Sequence, residues 1–82
     1  MIKEYFFQGG SEIAKVRVDY QDNTIEVATR MTGYSYRKLN QLVSAKKAML
    51  FYGYINTMTM EEFEQYLEKE FKGMGYKLKA KR

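Results

Sequence analysis

The chain has 82 residues, of which 45% are hydrophobic and 16% aromatic, a composition far from that of disordered polypeptides. Cysteine is missing, which excludes disulfides and thiolate metal sites. The formal charge of +4 favours acidic partners, nucleic acid above all. A chain of this length supports one hydrophobic core, so we predict a single domain over residues 1–82.

Nothing in the sequence predicts a membrane or export segment. No stretch approaches the roughly 18 consecutive apolar residues of a membrane span. The opening residues, Met1-Ile2-Lys3-Glu4, lack the apolar core of a signal peptide. We therefore expect a cytoplasmic protein without membrane contact.

Alternating apolar residues predict three strands in the first third of the chain. Between the first two, Gly9-Gly10 favours a two-residue hairpin loop because glycine adopts positive φ at little steric cost. This loop would pair Phe6 with Ile13 on neighbouring strands.

A second two-residue loop is predicted at Asp22-Asn23. It would set Val18 opposite Val27 and would place the carboxylates of Asp19 and Glu26 opposite each other.

This register predicts two different sheet faces, because side chains on a strand alternate in direction. The core face would carry Tyr5, Phe7, Ala14, Val16, Val18, Tyr20, Ile25 and Val27. The outer face would carry Ile2, Glu4, Phe6, Ile13, Lys15, Arg17, Ala28 and Arg30.

A helix is predicted after Met31-Thr32-Gly33, with Ser35 as its N-cap and an end near Tyr52. At about 100° per residue, its buried side would comprise Leu39, Leu42, Val43, Met49, Leu50 and Tyr54. Residues 48–55 contain enough aromatic and β-branched side chains to form a strand instead. The run Ala45-Lys46-Lys47-Ala48 favours the helix.

A second helix has clearer boundaries, since Thr59 and Glu62 are spaced as a capping box and Gly73 is placed to end it. Its buried stripe would be Phe63, Tyr66, Leu67 and Phe71. Residues 76–82 alternate as a basic final strand, or alternatively form a frayed tail. The predicted fold is α+β, with an antiparallel sheet of three to four strands, two helices packed on one face, and the order βββααβ.

Two charges fall inside predicted apolar stripes, Lys46 on the first helix and Glu70 on the second. An unpaired charge there would be costly. We therefore predict an ion pair between the helices, or long side chains that reach the rim of the core.

Catalysis is poorly supported because histidine and cysteine, the commonest general base and thiol nucleophile, are both missing. Glu61, Glu64 and Glu68 share a helix face, and carboxylate oxygens suit magnesium. That face lies opposite the apolar stripe and is expected to be solvated. We predict no enzymatic activity, no catalytic residue, no metal and no small-molecule cofactor.

The outer sheet face is the strongest candidate binding surface, because it places cations beside an aromatic ring. If the final strand joins the sheet with Tyr76 and Leu78 inward, its lysines add a cationic row. The predicted nucleic-acid contacts are Phe6, Lys15, Arg17, Arg30, Lys77, Lys79 and Lys81. The cations would neutralise phosphates with release of counterions, while Phe6 would stack on an unpaired base.

Other interpretations of this face stay open. Exposed sheet faces are ordinarily polar, and charged edges limit aggregation without any ligand. The leading prediction is a small basic binding module for nucleic acid, or an accessory or regulatory protein of a nucleoprotein. The alternative is a protein-interaction module or homodimer that uses Phe6 and Ile13, a strand edge, or the tyrosines Tyr34, Tyr36, Tyr52 and Tyr54.

Overall fold

The alternating N-terminal third forms the centre of a five-stranded antiparallel sheet. The computed structural model describes residues 1–29, 36–41 and 43–82. The strands are β1 (Ile2–Gly9), β2 (Glu12–Asp19), β3 (Thr24–Thr29), β4 (Arg37–Lys38) and β5 (Lys77–Lys81), and the helices are α1 (Ala45–Thr57) and α2 (Met60–Gly73). The strand order across the sheet is β4-β3-β2-β1-β5. The predicted α+β class is confirmed, and the sheet has more strands than predicted because β4 adds a short edge.

The first hairpin keeps the predicted faces but not the predicted register. Phe6 lies opposite Lys15 rather than Ile13. The loop is Gly10-Ser11, one residue later than predicted, and Gly10 has the positive φ of 61° that glycine adopts freely. The pairing is thus shifted by an even number of residues, so every side chain stays on its predicted face.

The second hairpin has a longer loop, residues 20–23, and its register is shifted in the same way. Asp19 lies opposite Thr24, and its carboxylate accepts two backbone N–H groups of the loop. Glu26 lies opposite Arg17. The predicted pair of carboxylates is therefore wrong, and an ion pair occupies its place.

The core lies between the inner sheet face and the two helices. The predicted sheet members are buried, with Tyr20 at the margin: Tyr5, Phe7, Ala14, Val16, Val18, Ile25 and Val27. Helix α2 contributes Phe63, Leu67 and Phe71, with Tyr66 partly buried, as its predicted stripe requires. The rings of Phe7 and Phe71 stack with centroids 4.5 Å apart.

The first helix begins later than predicted. The predicted N-cap Ser35 lies outside the described residues, but Arg37–Lys38 is extended and Leu39–Gln41 forms a 3₁₀ turn. Helix α1 starts after Ser44, whose hydroxyl accepts the backbone N–H of Lys47. It continues past Tyr52 to Thr57, so residues 48–55 are helical.

The buried side of α1 also differs from the prediction. Ala48, Phe51 and Ile55 enter the core, while Met49 and Leu50 are 73% and 50% exposed. The predicted stripe assumed one continuous helix from residue 35, and the extended and 3₁₀ segments break that periodicity. Leu39 and Val43 of the predicted stripe do contact the core, and Leu42 lies outside the described residues. The prediction is wrong for Met49, Leu50 and Tyr54, which are exposed.

The later start of helix α1 also explains why a different lysine forms the ion pair between the helices. Lys46 is exposed, and the predicted Lys46–Glu70 pair is wrong. Its neighbour Lys47 forms the contact instead, with Nζ 3.3 Å from Glu70 Oε2.

Helix α2 starts at the predicted capping box. The Thr59 hydroxyl accepts the backbone N–H of Glu62 at 3.2 Å, and the Glu62 carboxylate accepts the N–H of Thr59 at 2.9 Å. Gly73 is the last residue of the helix, as predicted, and Gly75 turns the chain with a φ of 92°.

The C-terminal residues form an edge strand rather than a frayed tail. Leu78 lies opposite Phe7, on the core side of β1. Arg82 exchanges two backbone hydrogen bonds of 2.7 Å with Glu4. A register shift between Phe6 and Phe7 marks a bulge in this pairing.

Candidate interaction surfaces

Two predicted contact residues on the outer face already hold carboxylates. Lys15 Nζ lies 3.3 Å from Glu4 Oε2, and Arg17 Nη2 lies 3.1 Å from Glu26 Oε2. Ala28 on the same face is fully buried. At this part of the outer face the cations are therefore paired with carboxylates and do not form a row of free positive charges.

Tyr36 organises these pairs, which the sequence did not indicate. Its hydroxyl donates to Glu4 Oε2 at 2.8 Å, and the Arg17 guanidinium lies 3.9 Å from its ring centroid. The hydrogen bond from Tyr36 lowers the pKa of Glu4, and Lys15 lowers it further, while burial acts in the opposite direction. The lowered pKa of Glu4 and the raised pKa of Lys15 favour the ionised form of both groups at neutral pH.

Phe6, predicted to stack on a base, already has cations beside its ring. Lys15 Nζ lies 5.5 Å from the ring centroid, and the Arg82 guanidinium lies 4.9 Å from it. Phe6 and Ile13 are both partly buried. A base that stacks here would have to displace one cation. Arg30, another predicted contact, lies outside the described residues.

The bulge in β5 separates the lysines that the sequence placed in one row. Lys77 lies opposite Gln8, toward the outer face, whereas Lys81 lies opposite Tyr5, on the helix side. Lys81 Nζ is 4.0 Å from Glu64 Oε1. Lys77 and Lys79 are exposed, and neither forms an ion pair with any residue that the structure describes.

Glu64 is the centre of a polar cluster at the rim of the core, so the prediction that it is simply solvated is wrong. Its side chain is 13% exposed, and Lys3 Nζ lies 3.1 Å from its Oε2. The Tyr5 hydroxyl donates to the same oxygen at 2.6 Å. Burial raises the pKa of Tyr5, and the hydrogen bond to Glu64 raises it further. Across residues 1–29, 36–41 and 43–82, no cluster of three or more acidic side chains is arranged to hold a metal.

The side of α1 away from the core exposes Met49 and Leu50, with Tyr54 at its margin, where the Tyr54 ring packs edge-on against Tyr66 of α2. Met49, Leu50 and Tyr54 are 73%, 50% and 37% exposed. Gly53 lies between them, and a Cβ added there would meet nothing within 4 Å. Helices that are apolar on both sides are ordinarily buried on both sides. The sequence identified these apolar residues but predicted them to be buried, whereas they are exposed.

Comparison with protein-family models, curated proteins and solved structures finds no match for the chain, so no relative supplies a function. None of the described helices has the length and apolar character required to cross a bilayer.

Proposed function

We propose that the protein is an interaction module that forms a homodimer through the exposed side of α1. The observation that carries this proposal is the apolar surface of Met49, Leu50 and Tyr54 around an open glycine. Scattered apolar residues are common on protein surfaces, but a contiguous apolar helix side is typical of an interface.

The sequence of this helix side is self-complementary. Lys46, Leu50, Gly53 and Thr57 follow one another at spacings of four, three and four residues, which read the same in both directions. In an antiparallel, two-fold symmetric pair, Leu50 of one copy would lie over Gly53 of the second. The same symmetry sets Met49 against Tyr54 of the second copy.

Charge also favours the antiparallel arrangement. It places the Lys46 ammonium of each copy near Thr57 of the other, at the negative end of the helix dipole. Because α1 contains no acidic residue, a parallel pair would instead bring the lysines of both copies together.

Contacts among the described residues do not explain the glycine at position 53. Glycine inside a helix costs about 0.5–1 kcal/mol relative to alanine, and no atom of the described residues lies within 4 Å of a Cβ placed at Gly53. A second helix that approaches closely at this point provides the missing reason, since the distance between packed helices depends on the side chains at their contact.

The alternative route to self-association, pairing of sheet edges, is disfavoured. Exposed lysines such as Lys77 and Lys79 on β5 discourage pairing with another strand. The helix surface is small, because the 13 residues of α1 span about 20 Å. It falls short of the roughly 800 Å² per partner of a standard interface, so we expect a weak dimer that forms at high concentration.

Sedimentation velocity across a wide concentration range tests the dimer with two matched variants. Leu50→Lys places a charge in the proposed interface, whereas Ile2→Lys makes the same change at a residue that is 59% exposed on the sheet. We expect the unaltered protein and Ile2→Lys to dimerise with the same affinity and Leu50→Lys to stay monomeric. A wild-type protein that stays monomeric throughout, or a loss of dimer in Ile2→Lys alone, would exclude the α1 interface.

Nucleic-acid binding is the second candidate function. It is supported by Lys77 and Lys79, which form no ion pair in the described part of the chain and lie on an exposed edge strand close to Phe6 and Arg82. Lys15 and Arg17 would contribute only if a phosphate competed with their carboxylate partners. The proposed contact surface is therefore the β5 side of the outer face, and its charge-paired centre is expected to contribute less.

A further inference from the structure

A cavity of about 450 Å³ opens at one end of the core. Its lining does not include Met49, Leu50 or Tyr54 of the proposed dimer surface. It lies where the inner sheet face meets the C-terminal end of α2 and the segment before α1. Val27, Leu39, Phe71 and Met74 are among the apolar side chains that line it. Its size falls within the range of about 300–1,000 Å³ that small-molecule pockets occupy.

Arg37 supplies a cation to this mainly apolar wall. It lies opposite Val27 in the β3–β4 pairing, so its side chain is on the core side of the sheet. Its Nε atom is buried and has no hydrogen-bond partner among the residues that the structure describes. Buried donors are nearly always paired in folded proteins, so an unpaired one on a residue that lines a cavity indicates a missing acceptor.

The acidic residue at the same cavity does not neutralise this cation. Glu12 lines the wall, but its Oε1 accepts the Tyr76 hydroxyl at 3.0 Å. No ion pair joins Glu12 to Arg37 within the described part of the chain. The guanidinium is thus available to a ligand.

We propose that the cavity binds a small organic acid, with the apolar body against Val27, Leu39 and Phe71 and the carboxylate on Arg37. A guanidinium matches a carboxylate with two parallel hydrogen bonds, which fixes the orientation of the ligand as well as compensating the charge. The apolar wall selects ligands whose remaining surface is hydrocarbon, and Glu12 disfavours a second anionic group.

The test uses octanoate and phenylacetate as probes, with octanamide and phenylacetamide as uncharged counterparts. Binding is followed by the chemical shifts of backbone amides at Ala14, Val27 and Phe71, and Leu50 reports any binding at the dimer surface. We expect saturable binding of at least one acid at the cavity, about tenfold tighter than its amide.

Two variants complete the test. Arg37→Gln removes the cation from the cavity, while Lys38→Gln removes the same charge one residue away, on the opposite face beside Glu26. We expect the affinity for the acid to fall about tenfold in Arg37→Gln and to be unchanged in Lys38→Gln. If Arg37→Gln does not fold, the comparison of acid and amide on the unaltered protein still decides.

Failure to bind either acid, equal binding of acid and amide, or unchanged affinity in a folded Arg37→Gln would each overturn the proposal. Shifts confined to Leu50 and its neighbours would do the same. None of these results depends on whether the protein dimerises, because the cavity and the exposed side of α1 share no residue.

Discussion

Glu64 stabilises the fold only while its carboxylate is ionised. Burial raises the pKa of Glu64, but the hydrogen bonds from Tyr5 and Lys3 lower it by more, with a further contribution from Lys81. A carboxyl group whose pKa is lower in the folded than in the unfolded state contributes stability at neutral pH. That contribution is lost as the pH falls through the folded-state pKa.

Replacement of this carboxylate should therefore reduce both stability and its dependence on acid. For Glu64→Gln we expect the free energy of unfolding at neutral pH to fall by about 1–2 kcal/mol, because charged hydrogen bonds become neutral ones. Below about pH 4.5 the difference from the unaltered protein should shrink. Urea unfolding at a series of pH values measures both effects.

Glu68→Gln is the matched control, since Glu68 is exposed on the same helix and forms no ion pair with the described residues. It should leave the stability at neutral pH nearly unchanged. If the two variants lost equal stability, the cluster around Glu64 would contribute no more than a solvated charge.

Side-chain contacts between residues close in sequence could be predicted, whereas those between residues far apart in the chain could not. The capping box joins Thr59 to Glu62, three residues away, and was predicted in full. The bond from Tyr5 to Glu64 spans 59 residues of chain, and no local pattern encodes it. The stacking of Arg17 on Tyr36 was missed for the same reason.

The residue at which α1 begins determines which side of the helix is predicted to be buried. A helix drawn from residue 35 gives Met49 and Leu50 to the core, whereas the helix that begins at Ala45 gives Phe51 and Ile55. Both sides are apolar, so hydrophobic periodicity alone does not choose between them. The predicted faces of the hairpins remained correct although the register was not, because an even register shift leaves each side chain on its face.

Replacement of Gly53 by alanine should raise the stability of the monomer and lower the affinity of the dimer. Gly53→Ala should raise the stability of the monomer by about 0.5–1 kcal/mol, because alanine favours the helix and the added Cβ meets no neighbour. The same Cβ fills the space proposed for Leu50 of the second copy, so the dimer should weaken. Thermal unfolding at low concentration and sedimentation at high concentration report the two effects separately.

Ala48→Gly provides the reverse comparison on the buried side of the same helix. It should destabilise the monomer, as glycine does in a helix interior, and leave the dimer surface intact. A Gly53→Ala variant that dimerises as strongly as the unaltered protein would contradict close packing at this position.

Over the whole molecule, the formal charge of +4 is unevenly compensated. The cations at the centre of the outer face are paired with Glu4 and Glu26, while Lys77 and Lys79 at the β5 edge form no ion pair within residues 1–29, 36–41 and 43–82. A polyanion is therefore expected to bind along that edge, and its affinity should depend strongly on salt.

Fluorescence anisotropy of a labelled single-stranded oligonucleotide, titrated at several salt concentrations, tests this expectation. We expect the log–log slope of affinity against salt to be near −0.7 per phosphate neutralised, with the magnitude of the slope reduced by removal of β5 cations. The variant Lys77→Gln/Lys79→Gln should bind more weakly than Lys69→Gln/Lys72→Gln, an equal loss of charge on α2. Binding that is insensitive to salt, or equal losses in both variants, would argue against a β5 contact surface.

The class and layering of the molecule were predictable because they depend on patterns repeated along each element. The edge strand β4 was not, since Arg37–Lys38 is too short to show a period. The cavity at Arg37 also has no signature in sequence, because it results from how three separate segments pack against one another.

The pairing of β5 with β1 has a consequence for synthesis of the chain. During synthesis, β1 can pair with β5 only after residue 81 has been made, whereas its other neighbour, β2, follows it directly in the chain. Until then the hairpins present an unpaired edge, and the partners of Tyr5 and Phe7 on α2 are still to come. Folding of this sheet during translation should therefore pause at a partly formed sheet and be completed only once β5 emerges.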